Sequence, residues 1–177
     1  MNRLPGTPVW MVALLLSTAT VAASQPSVSR NQSTAPTTAQ DTVDVQHVMA
    51  AFHEAVTTHD GSRLAALFIP EGSTWLNVLS DDAYVRAKAK TPDVAKIRLG
   101  NYRKFAEFVS TSKARLDPRH SHVNIQSDET IAAVYFDFVF LIDGKPENQG
   151  SETWQLVKGA QGWRIVAITY SSNPQSD

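Results

Sequence analysis

Cysteine is absent from all 177 residues. That excludes disulfides, a thiolate nucleophile and any cysteine-ligated metal. Neither sign of charge dominates: 16 Lys and Arg stand against 17 Asp and Glu, for a net charge of −1. Such a balance gives no basic footprint for nucleic acid, and no nucleic-acid partner is expected. Long hydrophobic runs are missing too. The most sustained one, Val9–Leu16, is well short of the ~20 residues that span a bilayer. No phosphate loop, dinucleotide fingerprint or Ser-His-Asp arrangement occurs, so no cofactor is expected.

What is present begins with a leader. Arg3 is followed by the apolar stretch Val9–Leu16 and then by small residues that include Val21-Ala22-Ala23. This is the pattern of a secretory signal peptide over residues 1–23. No cysteine follows it to carry a lipid. Cleavage near Ala23 removes Arg3 and no acid, leaving 15 basic against 17 acidic residues and a net charge of −2. The mature chain is expected to be periplasmic or secreted, without a membrane anchor. Residues 24–40 are mostly Ser, Thr, Gln and Pro. They bury too little to offset chain entropy and read as a disordered linker. One domain remains, over 41–173.

Its first half reads as helical. Asp41 or Thr42 can cap a helix whose stripe is Val45, Val48, Met49, Phe52, Ala55 and Val56, at spacings of three and four. His59-Asp60-Gly61 stops it, and a short second helix carries Leu64, Leu67 and Phe68. Ser73–Leu79 reads as a strand, Ser80–Lys90 is ambiguous, and Tyr102, Phe105, Ala106 and Val109 mark another short helix. The nearby Lys96, Arg98, Arg103 and Lys104 read as a solvated face. The second half alternates. Ile131–Ile142 puts Ala132, Val134, Phe136, Phe138, Phe140 and Ile142 on one side, and Ala133, Tyr135, Asp137, Val139 and Leu141 on the other. Asp143-Gly144 and Gly159–Gly162 are turns between further strands, which predicts an antiparallel meander. Helices first and sheet second is an α+β layout with the helices on the apolar sheet face.

Gly150-Ser151-Glu152-Thr153-Trp154-Gln155-Leu156-Val157-Lys158, then Gly162-Trp163-Arg164-Ile165 and Tyr170-Ser171, resembles the ending of the nuclear transport factor 2-like superfamily, in its SnoaL-like and lumazine-binding-like branch. Val134–Phe140 resembles the preceding strand, and Phe105–Lys113 with Arg119 and Val123 extends the likeness. The resemblance covers about residues 42–172. It implies a cone-shaped α+β barrel, helices packed on a strongly curved antiparallel sheet, with a pocket between them. The mixed outer face of Ile131–Ile142 is either exposed or a subunit contact, and a homodimer through it is expected.

The pocket so implied would be lined by aromatic residues in the inward phase: Trp75, Phe105, Phe136, Phe138 and Trp154. Core packing is the simpler account of Phe136 and Phe140. Trp75 and Trp154 each need a partner for a buried N–H. Glu152 shares a phase with Trp154. Pointing inward, it becomes a carboxyl with a raised pKa, the material of a general acid or base. At an exposed strand start it simply pairs with a cation. His120 and His122 alternate onto one side of a strand, a spacing that suits two metal ligands only if a third, such as Asp137, joins them; no metal is expected. His47 and His53 fall off the main helix stripe, and Asp60 reads as a cap beside His59. Within the resembled superfamily, ketosteroid isomerase-like members carry a carboxylate base on the strand after helix 2, and Ser73–Leu79 has no acid. Cyclase-type members use an Asp/His pair, which His122 and Asp137 match only if both face inward. The expectation is an exported domain binding a small apolar or aromatic molecule, with Trp75, Phe105, Phe138, Glu152 and Trp154 at the ligand. The alternative is a SnoaL-like cyclase, isomerase or dehydratase type of enzyme.

Overall fold

The structure, a computed structural model, describes residues 39–175. The predicted signal peptide and all but the last two residues of the predicted linker lie outside the described residues. Among the described residues no helix is long and apolar enough to cross a membrane.

Helix α1 (Ala39–Thr57) buries Val45, Met49, Phe52, Ala55 and Val56, the predicted stripe. It starts ahead of the expected cap. Asp41 instead sits in the first turn at 2% exposure and accepts a hydrogen bond from Lys158 Nζ at 2.8 Å. The helix stops at His59, which takes a left-handed φ of 59°. Asp60 then caps α2 (Gly61–Ala65), its carboxylate accepting from the Arg63 N–H at 2.8 Å. After β1 (Thr74–Leu79), the ambiguous stretch is helix α3 (Asp81–Lys90). Ser80 caps it, Asp81 and Asp82 lie in its first turn, and Lys88 and Lys90 lie in its last, all favourable to the helix dipole. Strand β2 (Ile97–Leu99) was not legible, because three residues carry no periodicity. Asn101 caps α4 (Tyr102–Thr111), which buries Tyr102, Ala106 and Val109.

Four long strands follow: β3 (Leu116–Ser127), β4 (Ile131–Ile142), β5 (Lys145–Gly159) and β6 (Gly162–Ser172). Asp143 and Gly144, both at positive φ, make the tight β4–β5 hairpin. All six strands form one sheet in the order β2-β1-β6-β5-β4-β3. One pairing departs from the expected antiparallel sheet: β1 runs parallel to β6. No hairpin joins these two strands, and most of the domain lies between them in sequence, so no turn sets their relative direction. The predicted parity of β4 holds over Ala132–Phe138, with Ala132, Val134, Phe136 and Phe138 buried and Tyr135 51% exposed; beyond it, where the pairing with β5 shifts, Leu141 of the other phase is buried as well. Phe136, Trp154, Leu156, Ile165 and Ile168 form the buried sheet face, and Phe52 of α1 packs on Trp154 with ring centroids 5.0 Å apart. Each such side chain contributes about 1.5–3 kcal/mol by burial.

Strand β3 breaks its own alternation. Its pairing with β4 shifts between Ser121 and Asn124, and His122 there has a φ of 52°. A bulge of this kind moves the following side chains to opposite faces. Up to His120 the even-numbered residues face inward; beyond the bulge Ile125 does.

Candidate functional site

A cavity of about 340 Å³ lies between α1, α4 and the concave sheet face. Phe52 contributes from α1 and Phe105 from α4, while Trp75 of β1 stands beside Phe105 with ring centroids 5.3 Å apart. Phe138 and Phe140 line it from β4, Pro118 and His120 from β3, and Tyr170 from β6. Asn148 and Glu152 come from β5, and Gly100, Asn101 and Lys104 from the start of α4 and the segment before it. A Cβ on Gly100 would lie 2.3 Å from Trp75 Cδ1, so this glycine lets the indole stand where it does.

Trp75, Phe105, Phe138 and Glu152 thus meet at one cavity, as their phases suggested. Trp154 is the correction. It is 0% exposed and lies behind the wall rather than at the surface of the cavity. Its indole N–H donates to Glu152 Oε1 at 2.5 Å, which supplies the partner a buried tryptophan needs. Glu152 points inward, so the reading as an exposed strand-start carboxylate fails. It is half-buried and lines the cavity. Burial pushes its pKa from 4.5 up to about 7, against the opposing pull of the Trp154 hydrogen bond.

His120 is the second titratable group in the cavity wall. Its ring lies 4.5 Å from Phe136 and 6.0 Å from Trp154. Burial, with a smaller push from the charge of His53, lowers its pKa from 6.5 to about 4. His53 itself donates from Nδ1 to the Pro118 carbonyl at 2.7 Å and so stays close to the cavity wall. Between about pH 4 and 7, Glu152 is therefore a neutral acid and His120 a neutral base. They sit on β5 and β3, on either side of β4, with backbones roughly 10 Å apart at the usual strand spacing. Among the described residues no hydrogen bond joins the two side chains, and the Glu152 partner is Trp154.

The bulge separates His120 from His122, so the two histidines do not share a face. His122 lies on the outer side, its Nδ1 2.9 Å from Asp137 Oδ2, and Ser151 Oγ donates to Asp137 Oδ1 at 2.9 Å. First the His122 contact and then the Ser151 bond lower the Asp137 pKa. The cyclase-type His/Asp pair therefore forms, but outside the cavity. Among the described residues no three His, Cys, Asp or Glu side chains gather to hold a metal.

No family model matches the chain, and no curated protein matches it by sequence. Solved structures do. A protein of unknown function from Mycobacterium tuberculosis superposes with a TM-score of 0.56 at 16% identity, over 76% of this chain and 72% of that one. A nuclear transport factor 2-like protein of unknown function from Shewanella baltica gives 0.53 at 16%, over 77% and 96%. A candidate dehydratase of that family from Streptomyces avermitilis gives 0.55 at 17%, over 77% and 98%. This chain has the nuclear transport factor 2-like fold. At such identities the likeness establishes the fold alone, because this cone carries many unrelated activities.

Within the cone, sequence reasoning missed several wall residues. Phe52 and Phe140 were read as core, Asn101 is the α4 cap, and Lys104 was one of the solvated basic residues. Of that basic group, Lys96 pairs with Asp81, Arg98 donates to Asn77 and Arg103 to the Pro70 carbonyl, which leaves Lys104 at the cavity. Tyr170 was visible only as part of a family ending. Its inward phase was hidden because the β5–β6 register shifts between Gln155 and Leu156.

Proposed function

We propose that the protein binds a small, largely apolar molecule in this cavity. The observation that carries the reading is an aromatic cavity of about 340 Å³ with an uncharged carboxyl, Glu152, in its wall. Ligand sites are commonly of this size and make-up, apolar walls with few polar groups. An apolar void of ~150 Å³ already takes benzene, so a fused two-ring molecule is the natural scale. Titration with a naphthalene-type probe, followed by tryptophan fluorescence, tests it. Trp75 in the wall should report saturable binding, and native mass spectrometry of protein from its own host should retain a bound mass. Absence of both overturns the reading.

A second reading has one observation in its favour: an acid and a base, Glu152 and His120, face the same cavity from opposite sides. That arrangement suits proton transfer of the isomerase, dehydratase or cyclase type. Turnover of an enolisable or dehydratable substrate, lost in both Glu152→Gln and His120→Phe, would support it. We also propose that the mature chain is exported and pairs with a second copy through the outer sheet face. There Leu99 at 87% exposure, Leu76, Thr169, Thr153 and Tyr135 form one cross-sheet row. Sedimentation should give a dimer, and Tyr135→Arg a monomer.

A further inference from the structure

Glu152, Tyr170 and Asn77 are direct cross-strand partners on β5, β6 and β1. Asn77 is held in one orientation. Arg98 Nη2 donates to Asn77 Oδ1 at 3.2 Å, and a guanidinium has no acceptor, so the amide oxygen must face it. The amide nitrogen then faces the other way and donates to the Tyr170 hydroxyl oxygen at 3.0 Å. Tyr170 therefore accepts from the protein, and its own proton finds no acceptor among the described residues. The ring is set edge-on to Phe138 and Trp75, at centroid separations of 5.7 Å and 6.3 Å. Tyr170 is half-buried in the cavity wall, so this donor is available to whatever fills the cavity.

We infer that the ligand is a neutral molecule bearing a carbonyl-type oxygen, which accepts the Tyr170 hydroxyl proton. This rests on the cavity reading above and names the ligand class within it. Beside Tyr170, Glu152 has one oxygen taken by the Trp154 N–H. Its other oxygen is available to the same ligand group, donating when protonated. A carboxylate ligand would give up its hydration to walls that are mostly aromatic, and Lys104 at the cavity disfavours a cation. Aromatic walls and a convergent pair of donors leave a neutral acceptor as the best-matched group.

Three probes of one shape decide it: 2-acetylnaphthalene, 2-ethylnaphthalene and 2-naphthoate, titrated by calorimetry into the mature protein. The ketone should bind about tenfold more tightly than the hydrocarbon, the scale of one well-made buried hydrogen bond. Tyr170→Phe should bring the ketone and hydrocarbon affinities together, with circular dichroism showing that the variant is folded. Asn77→Ala should reduce the preference in part, and it serves as the test if Tyr170→Phe does not fold. Equal binding of ketone and hydrocarbon to the wild type, retention of the preference in these variants, or tightest binding of naphthoate overturns this inference alone. Binding of none of the three overturns the cavity reading and this inference with it.

Discussion

Trp154 donates its indole N–H to Glu152, two residues back on the same strand and on the same face. The tryptophan is sealed in the core while the carboxyl reaches the cavity, so one hydrogen bond ties the packing of the domain to the chemistry of its pocket. Trp154→Phe removes the donor and keeps most of the ring. Loss of the bond should raise the Glu152 pKa above about 7, as followed by carboxyl-carbon NMR. Stability should fall by about 1–3 kcal/mol in urea unfolding. A Glu152 pKa that stays put would mean the bond does not bear on the carboxyl.

The pH dependence of stability follows from two opposed groups. Glu152 has a folded pKa raised from 4.5 to about 7, so its contribution is full below pH 4.5 and is lost as pH rises toward 7. His120 has a folded pKa lowered from 6.5 to about 4, so its contribution is full above pH 6.5 and is lost as pH falls toward 4. Over the shared window the slopes cancel in large part. Glu152→Gln should unmask a stability that rises with pH, and His120→Phe one that falls, each by on the order of 2–3 kcal/mol. Chemical denaturation from pH 4 to 8 reads both; slopes of the same sign would contradict the assignment.

Gly100 and Trp75 set the room available. Gly100 is not at a positive φ, so its backbone accepts a side chain, and the conflict falls on the Trp75 ring. Gly100→Val should push that ring into the cavity and weaken a naphthalene probe by about tenfold, the loss expected when a close-packed contact is displaced. Displacing the packed ring should also cost about 1–3 kcal/mol of stability. Undiminished probe affinity would remove Trp75 from the site.

His122 and His120 should behave differently although they are two residues apart. His122→Ala is expected to leave probe affinity unchanged and to raise the Asp137 pKa toward its usual value, because the contact that lowers it is gone. His120→Ala is expected to alter probe binding. Equal effects on the cavity from both would argue that the bulge does not separate them.

The legibility of these features differed by residue. The α1 stripe, the β4 parity and the Asp143-Gly144 hairpin are local patterns, and each was readable from neighbours in sequence. Ser80 capping α3 was half-visible, since a cap without a strong stripe behind it is ambiguous. The faces of His120 and His122 were misread because a bulge inserts one residue without altering composition. The inward turn of Glu152 was open in the sequence, where its phase allowed either a wall position or an exposed strand end.

By itself the sequence determined the order of the longer elements, the apolar sheet face and a set of aromatic side chains able to share it, because periodicity is a property of neighbouring residues. It also determined what is missing, from cysteine to cofactor fingerprints. The tertiary structure decided which of those side chains surround empty space and which fill it, placing Trp75 and Phe105 at the cavity and Trp154 behind its wall. It decided the charge states of Glu152 and His120 as well. Burial and pairing partners shift a pKa, and both arise only when β1, β3, β5 and β6, distant along the chain, are brought into one sheet.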